Sequence, residues 1–275
     1  MDTFPFAIYT HRTGTPKRPL VAILAGDTGV GKSTFERALR AVLFDTIDAR
    51  GVTVINGADY SNPLLVSVNR VNIRARVAAA VTACSRALII IDEIQYMAPK
   101  TLDDISDFLS SNQPVHYYVN GVTKLLDVSR AIVIFTSNTG AAAIAAANRS
   151  NPADPVAAMQ EEFANFTLRF SARYIPFLPI TAGTATEYVG ILLQASNCRT
   201  RGKYEITWSD NVVAFLVAAM KTSYGGILVN GLSGIEDHVY ASVCKAVHAL
   251  HIKKNGLRYF VQVKQNKILV EQLFM

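Results

Sequence analysis

Eight residues, Gly26-Asp27-Thr28-Gly29-Val30-Gly31-Lys32-Ser33, constrain the fold of this chain more than any other stretch. Glycine inside a helix or strand costs roughly 0.5–1 kcal/mol, so a segment with three of them reads as a loop. It stands between an apolar run, Leu20 to Leu24, and a segment from Ser33 to Phe44 with helical periodicity. The octapeptide fits GxxxxGK[ST] in the strand-loop-helix setting that gives the pattern its chemistry. Its glycines let backbone N–H groups turn inward around a phosphate, and the helix start adds positive potential.

The alternation continues through the first two thirds of the chain. Val52 to Ile55, Leu88 to Ile91, Ile132 to Thr136 and Tyr174 to Phe177 are short β-rich runs bounded by Gly, Pro, Asn or charged residues. With Leu20 to Leu24 they predict five strands of a parallel sheet buried on both faces. Helices are expected near Ser33 to Phe44, Val71 to Ala83, Leu102 to Leu109 and Pro155 to Phe163, and none before the first strand. Ala141 to Ala147 is too brief to be low complexity.

After Pro176 and Pro179 the pattern changes. Glu187 to Ala195 is helical in spacing, Ser209 is placed to cap a helix carrying Val212, Leu216 and Met220, and a further helix is expected over Ile235 to Ala249. Leu257 to Val263 and Ile268 to Glu271 flank a polar turn and predict a C-terminal β-hairpin. The expected division is an α/β domain over residues 1–180 and a small, mainly helical domain over 181–275. With 275 residues, half of them hydrophobic, the chain is large enough for both.

Residue chemistry then points to a site at the strand ends. Gly26, Asp27, Thr28, Gly29, Val30, Gly31, Lys32 and Ser33, with Thr34 behind them, form the expected nucleotide cradle. Lys32 reaches the β and γ phosphates, and Ser33 ligates Mg²⁺. Leu88 to Ile91 delivers two adjacent acids to the crevice: Asp92 to hold Mg²⁺, directly or through water, and Glu93 to orient the water that attacks the γ phosphate. Asn138, closing another buried run, reaches that water or the phosphate, or is a plain turn residue of Asn138-Thr139-Gly140.

These three motifs resemble the Walker A, Walker B and sensor 1 marks of AAA+ ATPases. The stretch from Arg74 to Leu109, with Ala83-Cys84-Ser85-Arg86, Ile91-Asp92-Glu93, Met97 and Asp107-Phe108-Leu109, is similar to torsins, relatives of the Clp-type unfoldases. So is Tyr174-Ile175-Pro176-Phe177-Leu178-Pro179-Ile180, and the likeness runs from about Lys17 to Met220. It implies a P-loop NTPase sheet sandwiched by helices and followed by a helical lid. It also implies hydrolysis of ATP with Mg²⁺, a ring or helical homo-oligomer, and a protein substrate or activating partner.

The resemblance has departures. Torsins carry Asn where this chain has Ser33. The arginine that acts in trans in Clp-type relatives falls by spacing near Phe170, leaving Arg169 and Arg173 as candidates, whereas torsins are similar to enzymes that borrow one from a partner. The lid position expected to be basic aligns with Glu236 in Gly234-Ile235-Glu236. Tyr60 is either a substrate-gripping pore aromatic or an ordinary loop tyrosine. Torsins enter the endoplasmic reticulum, but Met1 to His11 lacks a basic flank followed by an apolar stretch, so a cytoplasmic protein is expected unless a leader has been removed. No apolar run approaches the roughly 18 residues of a membrane span.

Two other readings stay open. A formal charge of +6 and a pI near 9.2 allow a nucleic-acid-handling AAA+ protein of the helicase-loader kind, although the basic residues are scattered. Glu236 and the unassigned arginine allow an ATP-gated assembly protein with weak hydrolysis.

Overall fold

Apolar runs buried on both faces dictate the centre of the molecule, a computed structural model that describes residues 3–44, 49–110, 114–119, 121–149, 154–164, 171–199, 204–222, 227–228, 231–254 and 258–273. The chain divides into two compact units, Met1–Asp27 with Lys32–Leu178, and Thr28–Gly31 with Pro179–Met275.

In the first unit, α1 (Phe4–Thr13) precedes β1 (Leu20–Ala25), α2 (Lys32–Leu43), β2 (Val52–Asn56), α3 (Val66–Ala83), β3 (Leu88–Asp92) and α4 (Pro99–Ser110). Then come β4 (Val115–Val119), β5 (Val122–Leu126), β6 (Ile132–Ser137), α5 (Ala141–Arg149), α6 (Pro155–Phe163) and β7 (Arg173–Pro176). The five runs singled out in the sequence form one sheet in the order β2-β3-β6-β1-β7. Every pairing is parallel, which aligns Asn56 with Asp92, Ile91 with Phe135, and Ala25 with both Ser137 and Pro176. All five carboxyl ends therefore emerge on one edge, the side on which open α/β sheets hold ligands.

Side chains alternate across this sheet with period two. Val21, Ile23, Ile89, Ile91, Val133 and Phe135 face one core, shared with Ile73, Val77, Leu102 and Ile105 of α3 and α4. Ala22, Leu24, Leu88, Ile90, Ile132 and Ile134 face the other, shared with Leu39 of α2. Each fully buried Ile or Leu contributes roughly 1.5–3 kcal/mol, so the two cores fix the register tightly.

Several expectations are corrected. A helix does stand before the first strand: α1 packs Phe4 with its ring centroid 6.1 Å from that of Phe35, and His11 is held to Ser129 O at 3.1 Å. Only Phe4, Ala7 and Ile8 of its ten residues meet the core, too short a stripe to read as a period. α3 begins at Val66 rather than Val71, because Asn62 accepts from Leu64 N–H (2.9 Å) and starts a turn that runs into the helix. The hairpin of β4 and β5, and helix α5, were not expected.

The second unit contains α7 (Ala182–Arg199), β8 (Glu205–Trp208), α8 (Asn211–Ala218), α9 (Gly231–Val239), α10 (Lys245–Lys254), β9 (Arg258–Lys264) and β10 (Lys267–Gln272). One π turn, Tyr240–Cys244, joins α9 to α10. Val189, Leu193, Leu216, Ile235, Val243, Val247, Tyr259 and Val261 form its core. β9 pairs antiparallel with β10 across Gln265 and Asn266, both at positive φ (51° and 59°), the two-residue turn whose twist suits a hairpin. β8 adds a third, parallel strand. Ser209 is not the cap: Asp210 holds that place, and Ser209 Oγ donates to Asn211 Oδ1 at 2.6 Å. No helix among the described residues is long and apolar enough to cross a membrane.

Candidate functional site

Leaving β1, the backbone turns at Gly26 with φ +158°, and a Cβ there would stand 2.5 Å from Phe177 O. Only glycine fits so close an approach. Phe177 N–H donates to Ala25 O at 2.7 Å and fixes the β7 side of the turn. Gly29 (φ +79°) and Gly31 (φ +107°) hold the remaining turns in conformations that side chains disfavour, and α2 then starts at Lys32.

Lys32 gathers the loop around itself. Its Nζ donates to Gly26 O (2.6 Å), Asp27 O (2.8 Å) and Asn138 Oδ1 (2.8 Å). All three acceptors are uncharged. Burial pushes the Lys32 pKa down against the raising pull of Asp27, Asp92, Glu36 and Glu93. An anion at this ammonium would offset the effect of that desolvation by favouring the charged form.

Asp92 and Glu93 leave the end of β3, two strands from the loop. Thr136 holds both: its Oγ1 donates a hydrogen bond to Asp92 Oδ1 and accepts Glu93 N–H at 2.9 Å. Glu93 has left-handed backbone, φ 56° and ψ 50°, which costs a non-glycine residue about 1–2 kcal/mol and occurs mostly where function needs it. A Cβ on Gly57, just past β2, would stand 2.4 Å from Glu93 O, so the neighbouring segment is cut away to admit that turn. Next along β6, Ser137 Oγ donates to Gln95 Oε1 (2.9 Å) and accepts Thr139 N–H (3.0 Å). These bonds brace Asn138 toward Lys32.

A further acid sits beside them without having been singled out. Glu36, on α2, is 6% exposed, and its Oε1 has no hydrogen-bond partner among the described residues. Burial, then the charge of Asp92, push its pKa up to about 7, against the lowering influence of Arg40 and Lys32.

Ser33 is exposed in the first turn of α2, and Thr34 Oγ1 accepts from Arg37 Nη2 at 3.1 Å. Arg173 is exposed at the start of the edge strand β7, in register with Ala22, and is not brought to the Lys32 cluster. Arg169 lies outside the described residues. Tyr60 is buried at 5% exposure, donates to Asn72 Oδ1 (2.7 Å) and accepts from Arg76 (3.3 Å), so it is an internal tyrosine and not a pore aromatic. Glu236 accepts from Tyr188 Oη at 2.6 Å within the second unit.

The residues fit a nucleotide with its metal. Gly26 admits no side chain, Lys32 offers a desolvated ammonium, and a hydroxyl (Ser33) and a carboxylate (Asp92) are the oxygen donors Mg²⁺ prefers.

No family model matches the chain. A torsin-like protein of Drosophila melanogaster is 31% identical to it over 131 residues, which are 47% of this chain, and the chain covers 36% of that protein's length. Over about half of its length, then, the chain is similar in sequence to a torsin-like protein, and its five-stranded parallel sheet is compatible with the α/β fold of P-loop NTPases.

Proposed function

We propose that this chain is a torsin-like AAA+ ATPase that binds and hydrolyses ATP with Mg²⁺, and that it assembles through its own copies to remodel a protein partner. The observation that carries the reading is the convergence of Lys32, Asn138, Asp92 and Glu93 on one edge of a parallel sheet, tied by Lys32 to Asn138 and by Thr136 to both acids. The torsin-like likeness supports the same class.

In this reading Gly26 to Thr34 cradle the phosphates, and Lys32 exchanges its carbonyl acceptors for the β and γ oxygens. Ser33 and Asp92 would hold the Mg²⁺, which when bound would supply positive charge to neutralise the phosphates as negative charge develops. Glu93 orients the attacking water and takes its proton, and Asn138 fixes that water or the γ phosphate. Thr136 keeps Asp92 and Glu93 at a set separation. Pro179–Met275 then serves as a nucleotide-sensing lid, and Arg173, Arg169 or a partner's arginine completes the site in trans.

A second reading, ATP-gated assembly with slow turnover, is favoured by Glu236, a carboxylate engaged by Tyr188 where a phosphate-sensing cation is expected. The test is ATP binding and phosphate release by the purified chain beside Lys32→Ala and Glu93→Gln. Active hydrolysis requires release above the Glu93→Gln level, and its absence at high protein concentration, with ATP still bound, leaves the assembly reading. No ATP binding sinks both. Nucleic-acid affinity that falls steeply with salt would instead support the helicase-loader alternative.

A further inference from the structure

Along α2, Lys32, Glu36 and Arg40 recur every four residues and so stand on one face of the helix. The carboxylate in the middle is buried on the side packed against the sheet. On that sheet, Asp92 continues the parity of Leu88 and Ile90, and Thr136 that of Ile132 and Ile134, all of which face α2. Glu36 and Asp92 therefore point into one interlayer space from opposite sides, and their charges act on each other.

That arrangement is costly. A buried carboxyl is ordinarily hydrogen-bonded or ion-paired, yet Glu36 Oε1 has no partner among the described residues, and a second acid faces it. Arg40, one turn on, has a buried Nε that is also without a partner among the described residues. A leucine here would pack with Leu39 against Leu24 and Ile90 at no electrostatic cost. A buried carboxyl facing Asp92, the candidate Mg²⁺ ligand, instead suits a hydrated divalent cation, whose waters need acceptors.

We propose that Glu36 is a positioning residue of the metal site, accepting a hydrogen bond from water on the Mg²⁺ that Ser33 and Asp92 would hold. The inference rests on the ATP and Mg²⁺ reading above and adds a residue outside the GxxxxGK[ST] pattern. Glu36 acts through water and not as a direct ligand.

The test uses the full chain with ATP bound and Mn²⁺ as the probe, its free concentration followed by electron paramagnetic resonance. Glu36→Gln is expected to weaken Mn²⁺ binding about tenfold or more, the usual loss when an outer-shell partner of a metal ligand is removed. Its affinity for ATP in EDTA, and its thermal midpoint in EDTA, should stay at or above wild type. Glu36→Asp, which keeps the charge one methylene shorter, should recover part of the metal affinity. Equal Mn²⁺ affinity in wild type and Glu36→Gln overturns the proposal, as does a loss of ATP affinity that is the same with and without metal. If wild-type protein gains no ATP affinity from metal at all, the underlying ATP and Mg²⁺ reading fails, an outcome visible without any Glu36 variant.

Discussion

The interior of the five-stranded sheet and its carboxyl edge obey opposite rules. Between Leu20 and Leu24, or Leu88 and Ile91, every residue is apolar, nearly all are fully buried, and the backbone is regular. Past the strand ends, Gly26, Gly29, Gly31 and Glu93 take positive φ, Lys32 is desolvated, and Glu36 is buried facing an acid. The interior spends nothing on function, whereas the edge holds conformations and charges that the interior must stabilise. Substitutions in the two regions should therefore separate cleanly, binding and turnover failing at the edge and stability failing in the interior.

The largest effect should come from Glu93→Gln. Loss of a water-orienting base lowers phosphate release by roughly 100- to 10,000-fold while ATP affinity persists. Isotherms and single-turnover release measured on the same preparation check it, and a parallel loss of binding would mean that Glu93 holds nucleotide instead. Next, Ile90→Ala should cost about 2–5 kcal/mol of unfolding free energy in urea, with ATP affinity of the folded protein unchanged. A drop in affinity of the folded fraction would break the division between interior and edge.

A smaller effect concerns pH. Glu36 binds its proton more tightly in the folded state, with its pKa raised from 4.5 to about 7, so its contribution to stability is fully present below about 4.5 and is lost as pH rises through about 7. Without metal, wild type should lose roughly 2–3 kcal/mol more than Glu36→Gln between pH 4 and pH 8. Identical pH profiles would show that the carboxyl is solvated. Smallest is Tyr60→Phe, which removes the hydrogen bond to Asn72 and should cost about 1 kcal/mol with no change in hydrolysis. A change in handling of a protein substrate would restore the pore reading that burial argues against.

What was legible in the sequence follows the same division. Five strands were readable because burial on both faces leaves continuous apolar runs, and the loop, the acid pair and Asn138 were readable because each interrupts such a run at its end. Hidden features depended on contacts between distant segments. Nothing local marks Thr136 as the residue that holds both acids, and Glu36 reads as one more charge between Lys32 and Arg40 in an ordinary helical ion-pair ladder. The hairpin of β4 and β5 carried a signal that was passed over, the pair Asn120-Gly121 between two β-rich runs. Helix α1 carried almost none, since three core contacts in ten residues fall below any period.

Two adjacent acids share a single oxygen, that of Thr136, which gives to the side chain of one and takes from the backbone of the other. Neither can be shifted alone: a change that moves the Asp92 carboxylate also moves the Glu93 backbone, because both depend on one hydroxyl. Valine, the nearest substitute in shape, would release both at once, and one hydroxyl is thereby a shared point of failure for the placement of both residues.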